Sequence, residues 1–221
     1  MVAFFLSILA SIIAALLVIF GAGIVSRRAR GLLTALLTRW IDVDIEYVFK
    51  NKDEAHKDLH DELERSADIA ILASRGNELQ RATFSPVFLN PKDRKQPTVR
   101  VLLPATTLPE GEYDWAMQRE KELASIDFAY GQRLNGKRLL HQLIEANVQF
   151  LVQHAEAGNI ELRRFNMPHI GRVVVTENYV YYTPYRSDAH GRESKVYKFR
   201  RGGEMYDNLR RLFYQLWGAS E

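Results

Sequence analysis

The chain has 221 residues, 30 Lys and Arg against 27 Asp and Glu, a formal net charge of +3 and no cysteine. Zero cysteine excludes disulfides, thiol nucleophiles and cysteine zinc sites from this sequence and agrees with a reducing compartment. The small basic surplus is interspersed with acidic residues and does not by itself argue for nucleic acid.

Residues 2–25 carry no charge and no proline, and about 20 apolar residues suffice to cross the hydrocarbon core of a bilayer. The run ends at Ser26, Arg27, Arg28, Ala29 and Arg30, with no Lys or Arg before it. The positive-inside rule then predicts a transmembrane anchor over 1–26, its N-terminus outside the inner (cell) membrane and the rest of the chain cytoplasmic. A signal peptide would need a basic leader and a shorter apolar core. Residues 27–40 form a basic, amphipathic juxtamembrane segment in which Leu32, Leu33, Leu36, Leu37 and Trp40 recur at helical spacing. Residues 41–221 are enough for one domain with a sizeable core.

Ile41 to Phe49 alternates apolar and acidic residues, which predicts a strand. Asn51 to Ser66 is highly charged and reads as an exposed amphipathic helix. Ile69 to Ala73 is a buried strand that runs into a Ser74-Arg75-Gly76-Asn77 loop and a helix start. Thr98 to Leu103 is a further strand. Helices are expected over Tyr113 to Ser125 and Leu134 to His154. Short strands follow at Ile160 to Phe165, Arg172 to Glu177, Tyr179 to Thr183 and Lys195 to Phe199, with a tight hairpin at Glu177 and Asn178. A last helix covers Glu204 to Trp217. The loops Phe84 to Pro97 and Pro184 to Ser194 are the candidate mobile segments. The pattern gives an α/β domain with a mixed β-sheet flanked by helices, phospholipase D-like or Rossmann-like, preceded by one transmembrane α-helix.

The stretches DIAILASRGNEL, TVRVLLP, RLLHQLIEA, NIELRRFNMPHIGRVVVTENYVYYTPY and LFYQLW follow an order that resembles one half of the phospholipase D-like (HKD) superfamily. The resemblance spans about Asp68 to Trp217 and rests on strand, loop and helix order rather than on a signature. It implies a fold and a dimer of halves. The family's chemistry needs a His, a Lys two residues later and an Asp seven residues after the His. Of the six histidines, His169 lies in the right place, but Gly171 and Thr176 stand at the Lys and Asp positions. His190 has Arg192 but Tyr197. The resemblance therefore implies a degenerate domain without the family's phosphodiester hydrolysis.

Other chemistry finds little footing. GQRLNGK at Gly131 to Lys137 is followed by Arg138, where a phosphate loop needs Ser or Thr for magnesium. His56 and His60 share a helical face, but a hydrolytic zinc helix would carry Glu after the first His, and Lys57 stands there. No cofactor and no metal site is implied. The Ser74, Arg75, Gly76 and Asn77 loop suits a phosphate, because it follows a strand, opens a helix and supplies an arginine fork. Arg163, Arg164, His169, Arg172, Tyr181, Tyr182 and Tyr185 form a basic and aromatic set that could stack a base and hold phosphate.

Three functions follow in order. The first is a membrane-anchored, non-catalytic sensor or effector. It binds a nucleotide-like anion, a nucleic acid or a protein partner, as a homo-oligomer, with prokaryotic antiviral defence as the analogy. Its ligand residues are Ser74, Arg75, Gly76, Asn77, Arg164, His169, Arg172 and Tyr185. The second is a divergent, membrane-tethered phosphodiesterase, a nuclease or phospholipase, using His169 with Arg172. The third is an interaction module docked on a larger complex.

Overall fold

A computed structural model describes residues 44–88, 97–128, 130–131, 139–168, 171–188, 191 and 193–220, with isolated positions 15 and 18. The juxtamembrane segment, His169, His190, Arg192 and most of GQRLNGK lie outside the described residues. So does residues 2–25 apart from Ala15 and Val18. Among the described residues no helix is long and apolar enough to cross a membrane. The expected single-pass span finds no counterpart among the described residues, and the run that carried it lies outside them apart from Ala15 and Val18.

The described elements run β1 (Ile45–Phe49), α1 (Lys52–Arg65), β2 (Asp68–Leu72), a 3-10 turn (Ala82–Phe84) and α2 (Ser85–Phe88). Then come β3 (Thr98–Pro104), α3 (Trp115–Ile126), α4 (Leu139–Glu156), β4 (Glu161–Phe165), β5 (Gly171–Val175), β6 (Tyr179–Pro184), β7 (Val196–Arg200) and α5 (Glu204–Ala219). They build a seven-stranded sheet in the order β1-β7-β6-β5-β2-β3-β4. β2, β3 and β4 are parallel, while β5, β6, β7 and β1 pair antiparallel. The fold is thus a mixed α/β sheet flanked by helices.

Period-two alternation sends the strand residues to opposite faces. Ile69, Ile71, Val101, Leu103, Val174, Tyr181 and Val196 pack on one face with residues of α1, α2 and α4. Ala70, Leu72, Leu102, Val173, Val175, Val180 and Phe199 pack on the other with Tyr206, Leu209 and Phe213 of α5. β2 is apolar on both faces because both are covered.

α1 begins where the Asn51 side chain accepts from the Glu54 amide, an N-cap that satisfies one orphan donor. It is not the exposed helix expected, since Ala55, Leu59, Glu62 and Leu63 are buried against the sheet. The helix expected after Asn77 is also absent: residues 74–81 are bends and turns. Gly76 has a positive φ of 76°. Pro86 clashes with a continuing helix, and α2 instead starts at Ser85 with Pro86 in its first turn. Phe84 and Val87, expected in a loop, are buried in the core.

Candidate anion site at the end of the second strand

β5 lies antiparallel to β2 with Leu72 opposite Val173, and β6 lies antiparallel to β5 with Arg172 opposite Thr183. The C-terminal end of β2, the start of β5 and the end of β6 therefore share one end of the sheet. That geometry brings together Ser74, Arg75, Gly76 and Asn77 with Arg172 and Tyr185, which lie about a hundred residues later in the chain. Ser74 Oγ donates to the Tyr185 hydroxyl at 3.0 Å.

Two residues not nominated from sequence complete the cluster. Lys52, the first residue of α1, donates from Nζ to Glu78 Oε2 at 2.6 Å and lies 5.9 Å from the Tyr185 ring centre. Arg172 is 3% exposed. Its Nη2 donates to Thr183 Oγ1 at 3.2 Å, its guanidinium lies 5.9 Å from the Phe84 ring centre, and its Nη1 stays 3.7 Å from Glu78 Oε1. Arg172 Nε and Glu78 Oε1 are buried without a hydrogen-bond partner among the described residues. Lys52 carried one sequence signal: a cation in the first turn of a helix opposes the macrodipole.

The electrostatics are lopsided. Burial alone would raise the Glu78 carboxyl, but Arg172, Lys52 and Arg75 reverse this and hold it at about 2, against an ordinary 4.5. Burial lowers the Lys52 ammonium, and Arg172 and Arg75 push it further down against the opposing pull of Glu78. Burial and Glu78 raise the Tyr185 phenol, which therefore stays protonated at neutral pH. Among the described residues three cations surround the Glu78 carboxylate in a mostly desolvated place, so a further negative charge would be stabilised there. The helix N-terminus invoked from sequence supplies nothing here, and the attraction comes from side chains.

The remaining nominated residues part company. Arg164, at the end of β4, donates to Glu145 at 2.6 Å, to Thr106 Oγ1 at 3.0 Å and to the Pro104 carbonyl at 3.0 Å. Its fork is already filled. Arg163 donates to the Trp217 and Ser220 carbonyls and lies 4.8 Å from the Trp217 ring centre. Tyr182 packs with the α5 cluster, whereas Tyr181 packs with the α1 cluster. The basic and aromatic set is therefore split between two faces, as strand alternation requires. Gly171, at the position of the superfamily lysine, has no room for a side chain: a Cβ there would meet the Thr183 carbonyl oxygen at 2.6 Å. His60 Nδ1 is engaged with the Ala82 carbonyl at 3.1 Å. Among the described residues no group of three or more His, Asp or Glu could hold a metal ion.

No family model matches the chain, and no curated protein does. Among solved structures it is similar to TrmBL2, an archaeal chromatin protein described as showing a novel mode of DNA binding. The identity is 14% and the TM-score 0.46, over 88% of this chain and 61% of that one. The chain thus spans less than two thirds of that protein's length, and a score below one half leaves function to be argued from this chain's own residues.

Proposed function

We propose that this chain is a ligand-binding sensor or effector without hydrolytic chemistry, whose site at the end of β2 takes the phosphate of a nucleotide-like anion. The observation that carries the reading is Arg172. Among the described residues it is buried with an unpartnered Nε–H, and with Lys52 and Arg75 it surrounds the Glu78 carboxylate. A guanidinium presents paired donors that match an oxyanion, and ligands of open α/β sheets gather beyond the carboxyl ends of strands. The finer fold assignment belongs to the same reading: one half of a phospholipase D-like domain that keeps a phosphate site without the catalytic lysine.

The test is the melting temperature of the full chain against cyclic mono-, di- and oligonucleotides, short single-stranded DNA and pyrophosphate. A ligand at 100 times its Kd stabilises by about 2.7 kcal/mol, a shift of roughly 5–10 °C for a domain of this size. The expected result is such a shift with one class, lost on Arg75→Ala. A flat panel overturns the reading.

A further inference from the structure

We propose that Glu78 is the site's own stand-in for its ligand: the carboxylate occupies the place of the ligand's anionic group beside Lys52 and Arg172, and binding exchanges one for the other. The inference rests on the anion-binding reading above and adds how that site is held closed to weak ligands.

Three observations support it. The first is incomplete coordination. A carboxylate can accept about four hydrogen bonds, and Glu78 accepts one, from Lys52 at 2.6 Å. Among the described residues its Oε1 accepts none, and Arg172 Nη1 stops at 3.7 Å, outside hydrogen-bond range. A permanent buried ion pair needs close geometry and satisfied lone pairs to offset desolvation; a place-holder does not.

The second is position. Glu78 belongs to the turn between β2 and the 3-10 segment, with Leu79 N bonded to Gly76 O at 3.0 Å and Arg81 N to Glu78 O at 3.1 Å. Buried Leu79 anchors that turn. The carboxylate can therefore swing by side-chain rotation without breaking a strand or a long helix.

The third is charge. One carboxylate faces Lys52, Arg75 and Arg172. A phosphate dianion in its place would neutralise those cations better, whereas a phosphate bound beside a retained Glu78 would meet like charge.

The experiment is calorimetric titration of the full chain with pyrophosphate at fixed ionic strength, comparing the unmodified protein with Glu78→Gln and Glu78→Asp. Gln removes the charge; Asp keeps it but is one methylene too short to hold Lys52. Exchange predicts that both substitutions tighten pyrophosphate binding at least fivefold. Tightening in Gln alone is simple Coulomb relief and overturns the exchange while leaving the anion site standing. Unchanged or weaker binding in both does the same. Absence of binding in all three proteins overturns the anion site itself. A measurement on the unmodified chain covers the case in which a variant fails to fold. The Glu78 side-chain carboxyl carbon resonance should shift as pyrophosphate saturates, and a static resonance at saturation overturns the exchange.

Discussion

Two charged clusters sit under the same helix, on the same face of the same sheet, and they are built differently. In the middle of α1, Lys198 Nζ donates to both Asp58 oxygens at 3.0 and 2.8 Å, and the Tyr181 hydroxyl donates to Asp58 Oδ2 at 2.6 Å. Lys198 Nζ also lies 4.0 Å from the Tyr179 ring centre. One cation meets one anion, and each is held by several contacts. At the start of α1, Lys52, Arg75 and Arg172 surround Glu78, and among the described residues Arg172 Nε and Glu78 Oε1 lack partners. The balanced cluster fixes α1 on the sheet. The unbalanced one leaves buried polar atoms unsatisfied, which native proteins mostly avoid, and on the proposed reading a ligand completes it.

The comparison can be broken in stages. Both clusters rest on the β5–β6 pairing, Arg172 against Thr183 and Val174 against Tyr181. Gly171→Ala drives a Cβ into the Thr183 carbonyl and should disturb both, at about 3 kcal/mol or more in chemical denaturation. Acid should act on the unbalanced cluster. The Glu78 carboxyl is depressed on folding, from an ordinary 4.5 to about 2, so its contribution is present above about pH 4.5 and is lost as pH falls towards 2. Across that window the unmodified chain should lose about 2–3 kcal/mol more than Glu78→Gln, measured by denaturation at each pH.

Lys198→Met acts on the balanced cluster. Asp58 is partly exposed, so the cost should be about 1–2 kcal/mol, with pyrophosphate affinity unchanged. Arg164→Gln is the smallest change. Its partner Glu145 is half exposed, and the loss should stay under about 1 kcal/mol, again with no effect on pyrophosphate titration.

The framework was legible because it depends on local pattern. The apolar run at Ile69 to Ala73 and the valines of β5 announce strands, and the charged, amphipathic stretch Asn51 to Ser66 announces α1. The site was legible in fragments. Arg75 and Arg172 were nominated for separate reasons, and only the antiparallel register of β5 on β2 joins them. Lys52 and Glu78 were missed because a charged helix face reads as solvated until the sheet beneath it is known. Arg164 was nominated by composition, but its fork is filled by Glu145, Thr106 and Pro104. No sequence pattern announces such a partner set.

The most direct test of the central claim is Arg172→Met, read for stability and for pyrophosphate affinity in the same samples. If the surplus charge serves a ligand, affinity should fall about 100-fold, equivalent to about 2.7 kcal/mol. Stability should fall by no more than about 2 kcal/mol, because Arg172 is the strongest of the charges that hold Glu78 ionised. If instead Arg172→Met costs several kcal/mol of stability and leaves pyrophosphate binding unchanged, the cluster is structural and the account is contradicted.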